Sequence, residues 1–385
     1  MFTVAGKGLE VAGKGIAGLV KGTPYPVQAS AIVSTCADGL TVSGSTYGTW
    51  AQYKIDADYP VPGDCNIVHV DGAGLAGIVR GLKGAVPVEV VDGRVSIGHG
   101  GIDFNGIPVE DYPLWPVLTV DAGILSLSGK EFKKMVKGWG QVAQKSGQTT
   151  RLSLTGVNVV ATETGTEFTL TNGYTLLHET IGDTVPAGAG LRGLFPVDDI
   201  KKSAAGIVAG SIVSLSLATE TGTGTRYLVI DIAASWGRAR YSIRSIDEEF
   251  PDYRRVIPTS DKVRFTIDPS ELGPLAASAY RAAPDETRHC TLTLDQPGQP
   301  DTARLTISAS RPGVDFTNSI PVGGCVGAVD FVPTYVNAKF LEQLAGFTDG
   351  PVELYWSAPL NAIRADYRTN WSTCHFVIMP TNPGK

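Results

Sequence analysis

A helix-like segment followed by a cluster of short strand-like runs recurs six times along this chain. The helical segments are Lys7–Val20, Gly72–Gly84, Gly129–Gly140, Val197–Ala209, Pro269–Ala282 and Tyr335–Phe347. In each, apolar residues return at helical spacing, as Leu75, Ile78, Val79 and Leu82 do in the second and Phe132, Met135 and Val136 in the third. The segments start roughly 65 residues apart, so the repeating unit is larger than a hairpin or a helix pair. The runs between them are short, rich in Thr, Val, Ile and Leu, and bounded by turn residues. Ala31–Thr35, Leu40–Ser43, Trp50–Ile55, Arg151–Leu154, Tyr227–Ile232 and Ala303–Ser308 are examples. One short helix and about four strands per repeat predict an α+β fold with helices on one face of antiparallel sheets.

A second repeat pairs these units. Val109-Glu110-Asp111-Tyr112-Pro113-Leu114-Trp115-Pro116 closes the second unit, and Glu249-Phe250-Pro251-Asp252-Tyr253-Arg254-Arg255-Val256-Ile257-Pro258 closes the fourth. Each combines acids, aromatics and two prolines, as expected where the chain leaves one domain for the next. The boundaries predict three similar domains, 1–120, 121–258 and 259–385, each with two helices and about eight strands.

Net charge is −6, which argues against gripping nucleic acid by bulk positive charge, so the placement of individual cations matters more than their sum. Met1–Gly8 has no basic region leading into an apolar core, and no run is apolar enough to span a bilayer, so a cytoplasmic location is expected. Cys36, Cys65, Cys290, Cys325 and Cys374 have neither metal-ligand nor redox spacing and suit reduced, buried thiols. Gly8-Leu9-Glu10-Val11-Ala12-Gly13-Lys14-Gly15 matches part of a phosphate-binding loop. It lacks the Ser or Thr that would hold magnesium and lies inside a helical pattern. His69, His99, His178, His289 and His375 are scattered, and no nucleophile-elbow sequence occurs. No catalytic residue, metal or cofactor is expected.

Cations do cluster on the helices. Lys130, Lys133, Lys134 and Lys137 share one face of the third, and Lys7, Lys14 and Lys21 one face of the first. Arg80 and Lys83 lie in the second, Lys201 and Lys202 in the fourth, and only Arg281 and Lys339 in the last two. Each could be an ordinary solvated face. The recurrence on four of six helices suits sequence-independent phosphate contact.

Phe250-Pro251-Asp252-Tyr253-Arg254-Arg255-Val256-Ile257-Pro258 resembles the segment that ends the second domain of the bacterial DNA polymerase III beta subunit, the sliding clamp. Thr171-Asn172-Gly173-Tyr174-Thr175-Leu176-Leu177 resembles that family's Thr-Asp-Gly-His-Arg-Leu stretch, and Phe376-Val377-Ile378-Met379-Pro380 its closing strand. Met1-Phe2-Thr3-Val4 and Ala37-Asp38-Gly39-Leu40-Thr41-Val42-Ser43-Gly44 resemble its first-domain strands. The resemblance runs over essentially the whole chain in order and spacing. It implies a non-catalytic homodimeric ring that encircles duplex DNA, is opened by a clamp loader and tethers a replicative polymerase.

The resemblance also implies residues. Lys21, Arg80, Lys83, Lys133, Lys134, Lys137, Lys201 and Lys202 would face DNA. Leu154, Thr171, Gly173, Leu176, Pro251, Arg255, Val256, Tyr335, Val377, Ile378, Met379 and Pro380 would line an apolar groove for partner peptides. On local sequence alone Val377–Met379 reads more readily as a core strand, and Arg255 could equally form a surface ion pair. Ile102 and Phe104 would meet a second copy near Arg281 and Ala282, or else belong to an ordinary core. The chain departs from the family at Tyr174-Thr175 (His-Arg), at Val332 (Asn) and after Pro380, where Thr381–Lys385 forms a different tail. A β-rich structural protein of the virion type is the alternative, and it would have no need of lysine-bearing helices in register with the repeat.

Overall fold

The computed structural model describes residues 2–36, 39–57, 67–91, 93–103, 107–182, 190–295, 302–327, 333–357 and 359–381. Among them a strand-helix-strand-strand-strand module occurs six times. The first is β1 (Phe2–Ala5), α1 (Gly6–Val20), the one-turn α2 (Pro26–Ala29), β2 (Ser30–Cys36), β3 (Gly39–Ser45) and β4 (Thr49–Asp56). The second is β5 (Ile67–Asp71), α3 (Gly72–Ile78), β6 (Ala85–Val91), β7 (Arg94–Ile97) and β8 (Gly100–Asp103). The third is β9 (Leu118–Ser128), α4 (Gly129–Val142), β10 (Gly156–Thr162), β11 (Gly165–Thr171) and β12 (Thr175–Gly182). The fourth is β13 (Arg192–Pro196), α5 (Val197–Ser203), β14 (Ile212–Glu220), β15 (Arg226–Ala234) and β16 (Gly237–Arg244). The fifth is β17 (Val263–Ile267), α6 (Pro269–Ala282), β18 (His289–Asp295), β19 (Arg304–Arg311) and β20 (Val314–Pro321), with β21 (Gly323–Val326) appended. The sixth is β22 (Thr334–Asn337), α7 (Ala338–Phe347), β23 (Val352–Trp356), β24 (Ile363–Arg368) and β25 (Thr373–Ile378).

Local chemistry starts the helices. At α4, the Glu131 N–H bonds Ser128 Oγ (3.3 Å) while Glu131 Oε2 accepts from the Ser128 N–H (2.9 Å), a reciprocal cap. Asp268 accepts from the Ser270 N–H ahead of Pro269 in α6, and Asn337 accepts from the Lys339 N–H in α7. That Asn337 cap corrects the expected helix Tyr335–Phe347: Tyr335 lies in β22, and the helix begins only after the cap. The second and fourth helices are also shorter than their patterns, and α5 ends in a 3-10 turn at Ala204–Gly206. The expected strand Arg151–Leu154 is a 3-10 turn, Leu152–Thr155, closed by Thr155 Oγ1 donating to the Leu152 carbonyl (2.7 Å). Alternating apolarity over so short a run does not separate these conformations.

By contact density the chain divides into two compact units. One comprises Met1–Val136, Ala161–Glu163 and Thr184–Asp247, the other Lys137–Val160, Thr164–Asp183 and Glu248–Lys385. In the first unit one antiparallel sheet runs β5-β2-β3-β4-β16-β15-β14-β9 and a smaller one β1-β6-β7-β8. The first and fourth modules therefore share a sheet, joined at a β4–β16 seam where Tyr53 pairs with Ala239 and Ala51 with Tyr241. Behind the seam the Tyr53 and Tyr241 hydroxyls touch, beneath α1. Gly15 of α1 is obligatory, since a Cβ there would lie 1.7 Å from the Tyr53 hydroxyl. Helices α3, α1 and α5 form a layer over this sheet, and Lys133 of α4 reaches the carbonyl of Ile207 at its margin (2.8 Å).

In the second unit the strands run β10-β11-β12-β25-β24-β23-β17-β21 in one sheet and β20-β19-β18-β22 in another. The third and sixth modules meet at a β12–β25 seam, where Leu176 pairs with Val377 and His178 with His375. Trp139 packs on Phe168 behind the seam and donates its indole N–H to Glu179 Oε2 (2.7 Å). Burial raises the Glu179 carboxyl to about 7. Helix α7 joins α4 through Gln343 Nε2, which donates to the Gln141 carbonyl (3.0 Å), and packs on α6.

Candidate functional site

The residues assigned to the peptide groove all fall in the second unit, and most converge at the end of the β12–β25 seam. Leu176 and Val377 form a buried cluster with Tyr253, against which Phe250, Ile257 and Ala362 pack. The turn before β12 is rigid: Asn172 Oδ1 accepts from the N–H groups of Tyr174 (2.9 Å) and Thr175 (2.8 Å) and from Thr175 Oγ1 (3.2 Å). Thr171 Oγ1 donates to the Thr175 carbonyl (2.8 Å), and the Met379 N–H bonds the Tyr174 carbonyl (2.9 Å). Gln144 ties in the 3-10 turn that carries Leu154. Its backbone N–H bonds the Leu154 carbonyl (2.9 Å), and its side-chain amide the Asn172 carbonyl (3.0 Å).

Individual residues divide by exposure. Leu154, Leu176, Val377 and Ile378 are buried, Met379 and Pro380 half-buried, and Pro251 and Val256 exposed. Arg255 is exposed and ion-paired with Asp252 (2.9 Å), the surface pairing that was its alternative reading. Tyr335 touches the site through its carbonyl, which accepts from the Thr381 N–H (2.8 Å). It also lines a separate concavity of about 510 Å³ on the outer face of β18, β19 and β20. Sequence reasoning missed Leu152 and the Gln144 bridge. It quoted Phe250, Tyr253 and Tyr174 without giving them a place in the groove. Tyr253 packs on His178, which stacks on His375, and its hydroxyl donates to Glu167 Oε2 (3.0 Å). Burial holds the His178 imidazole below its ordinary value.

The helix cations separate into two kinds. On α4, Lys130, Lys133 and Lys137 form the exposed stripe, with Lys134 half-buried beside it. Lys133 is anchored to Ile207, whereas Lys137, like Lys21, Arg80 and Lys83, is exposed without an ion pair among the described residues. Lys201 and Lys202 instead pair with Asp198 (3.3 Å) and Asp199 (2.7 Å), so the exposed charge of α5 is largely cancelled. Ile102 is half-buried on β8, with its Cδ1 against Gly74 of α3. Phe104 and Val332 lie outside the described residues.

No family model matches the chain. Solved structures do. The chain is similar to the DNA polymerase sliding clamp from Bacillus subtilis, at 17% identity and a TM-score of 0.82 over 99% of this chain and 98% of that one. The beta subunit of DNA polymerase from Streptococcus pyogenes gives 15% identity and 0.81, and the sliding clamp from Pseudomonas aeruginosa 16% and 0.79, each over 99% of both chains. The chain has the bacterial sliding-clamp fold.

Within this clamp fold the cluster around Leu176 and Val377 has a counterpart in the same chain. The pairing Thr171–Leu176 recurs as Ser45–Trp50, and Leu176–Val377 recurs as Trp50–Ser242. The bond from the Met379 N–H to the Tyr174 carbonyl recurs from Arg244 to Gly48 (2.8 Å), and that from Thr381 to Tyr335 recurs from Ile246 to Leu194 (2.7 Å). By the same register Ala362 corresponds to Tyr227. At the β4–β16 seam, then, Trp50 and Tyr227 stand where β12–β25 has Leu176 and Ala362. Their rings lie 5.9 Å apart, and Trp115 and Leu118 pack over them. One seam of the clamp fold is filled with aromatics. At the matched strand positions the other carries smaller side chains, with Tyr253 and Phe250 packed beside them.

Proposed function

We propose that this chain is a DNA polymerase processivity factor, a homodimeric sliding clamp that encircles duplex DNA and tethers a replicative polymerase and other replication or repair proteins through the groove beside Leu176 and Val377. Three domains, 1–120, 121–258 and 259–385, form each half of the ring. The role needs no catalysis and no cofactor, and it places the protein in the cytoplasm, on the nucleoid. A clamp loader opens and closes the ring.

The observation that carries this reading is the pair of sheet-terminal strands β8 and β20. Modules join within the chain by pairing their last strands, β4 with β16 and β12 with β25. By module position β8 corresponds to β16, and β20 to β12. A second copy placed head to tail would pair its β20 with β8 and its β8 with β20. It would give both strands the partners that their counterparts already have and leave no open edge there. Ile102 lies on one of these strands, and Phe104 follows it in sequence. In that ring Lys21, Arg80, Lys83, Lys133, Lys134 and Lys137 contact phosphates, with a smaller share from the ion-paired Lys201 and Lys202.

Three measurements test the proposal. Light scattering should give the mass of a dimer, and a stable monomer at micromolar concentration would refute the ring. Loaded onto nicked circular DNA, the protein should stay bound and leave when the circle is linearised; equal retention on both forms contradicts topological binding. Met379→Ala with Val256→Ala should weaken a polymerase tail peptide about tenfold or more, and unchanged affinity would move the docking site elsewhere. A structural, virion-type role has no observation in its favour.

A further inference from the structure

A pair of histidines shares one face of the β12–β25 seam with the groove residues Leu176 and Val377. Leu176 pairs with Val377, and two residues along each strand His178 pairs with His375. Side chains two apart on a strand point the same way, so the imidazoles continue the surface that Leu176 and Val377 begin. The two rings stack 6.0 Å apart with 4° between their planes. Tyr253, which packs with Leu176 and Val377, also lies on His178, with ring centroids 5.4 Å apart.

Polar groups hold this stack from each neighbouring element. On β11, Thr169 Oγ1 bonds His178 Nδ1 (3.0 Å), and Glu167 Oε2 accepts from the Tyr253 hydroxyl and pairs with Arg254 (3.0 Å). On β24, Asp366 Oδ1 bonds His375 Nδ1 (2.7 Å) and lies 3.1 Å from Arg364 Nε, while Arg364 Nη1 donates to the Pro258 carbonyl. The segment 253–258, which carries Arg255 and Val256, is thus tied at both ends to one network. The tie runs through His178 at Tyr253 and through Arg364 at Pro258.

The fold does not call for imidazoles here. At the β4–β16 seam the positions matching His178 and His375 hold Gln52 and Arg240, and the acid matching Asp366 is Asp231. Arg240 makes to Asp231 (2.7 Å) the same cross-strand pair that His375 makes to Asp366. Both Gln52 and Arg240 are exposed, whereas His178 is buried. The β12–β25 seam keeps the acid but exchanges an amide and a permanent cation for two imidazoles, groups that titrate near neutral pH. Burial is the main reason the His178 ring resists a proton; Glu167 pulls the other way, and His375 and Arg254 add to the resistance. A segment docked over Leu176 and Val377 covers this face further and strips remaining water from the ring. The charged form then costs more in the complex than in the free protein. By linkage, a proton on His178 and a docked segment oppose one another.

We propose that His178, stacked between Tyr253 and His375, is a pH-sensitive positioning residue for the groove, which holds its partner while His178 is neutral and releases it on protonation. The inference rests on the docking role proposed above and adds its regulation.

The test is fluorescence anisotropy between pH 5 and pH 8 with a capped, labelled peptide that carries a Leu-Phe anchor pair and no titratable side chain. Wild-type affinity should be flat near pH 8 and fall roughly tenfold by pH 5. His178→Gln, whose amide can keep the Thr169 bond, should bind within about twofold of wild type at pH 8 and lose the acid limb. His375→Gln removes a neighbour that disfavours the His178 proton, so its acid limb should begin at higher pH. In an NMR titration of the wild type, saturating peptide should move the His178 midpoint to lower pH. An acid limb unchanged in His178→Gln, or a midpoint that the peptide does not move, overturns the proposal. Binding at pH 8 with a flat profile in the wild type defeats the proposal alone. If the peptide does not bind the wild type at pH 8, the docking role itself fails and takes the proposal with it.

Discussion

Glu179 couples the stability of the β12–β25 seam to pH, and the effect is large enough to measure. Its carboxyl is fully buried behind the seam, accepts the Trp139 indole N–H, and lies 3.7 Å from Cys374 Sγ. Desolvation raises it from the ordinary 4.5 to about 7, against the weaker downward pull of those two hydrogen bonds. The folded state therefore keeps a proton that the unfolded chain releases. Stability from this group is complete below about pH 4.5 and is lost as pH rises to about 7, beyond which the carboxylate is buried at full cost. At about 1.36 kcal/mol per pH unit the gap corresponds to about 3 kcal/mol. Glu179→Gln keeps an acceptor for Trp139 and has nothing to ionise. It should match the wild type near pH 4.5 and exceed it by about 2–3 kcal/mol near pH 8, when urea unfolding is followed by tryptophan fluorescence at several pH values. A constant difference between the two proteins across that range would refute the assignment of the cost to carboxylate burial.

Other substitutions probe neighbouring claims. Thr46→Asn should stabilise the first unit by about 1 kcal/mol. It supplies the turn acceptor that Asn172 provides in the second unit; in the first unit Thr49 Oγ1 is buried without a hydrogen-bond partner among the described residues. A lowered urea midpoint would count against it. Lys133→Ala should cost about 1 kcal/mol through loss of the Ile207 carbonyl bond. Lys137→Ala should leave stability alone and reduce the salt slope of duplex binding by about 0.9; interchangeable effects would show that the two lysines are not the two kinds proposed. Trp139→Phe should push the Glu179 carboxyl higher still, moving the pH-dependent loss of stability toward alkaline pH.

What could be read from sequence was local. Helix periodicity, the Ser128–Glu131 reciprocal cap and the Asp268-Pro269 start are encoded within a few residues, and they locate the six modules. Errors arose where local patterns are degenerate. Arg151–Leu154 alternates like a strand yet closes a 3-10 turn, and Tyr335 fits the helical period but precedes the Asn337 cap. The cancelled charge of Lys201 and Lys202 was legible in the three-residue spacing to Asp198 and Asp199 and was overlooked. No local signal joins Leu176 to Val377 or Tyr53 to Tyr241, because seam partners lie far apart in sequence. The groove assignment therefore rests on family resemblance alone.

The internal repeat separates scaffold from site. Where two seams share register and backbone bonds, those features belong to the fold. The pairing of Met379 with Tyr174 and of Arg244 with Gly48 is of this kind. Where the seams differ, the difference has to be accounted for by something other than the fold. Leu176 and Ala362 against Trp50 and Tyr227 is a difference in side-chain volume at matched positions. Tyr174 against Gly48 is offset by Tyr47 one residue earlier on the other turn, so each turn carries an exposed ring. The volume difference falls on the seam that carries the proposed groove, where Tyr253 and Phe250 pack beside Leu176. Matched positions differ farther along the seams as well, as Ala51 against Leu177 and Tyr53 against Glu179 do. The number of differences therefore does not choose between the seams, and docking is assigned to β12–β25 on the family resemblance of the residues around Leu176 and Met379.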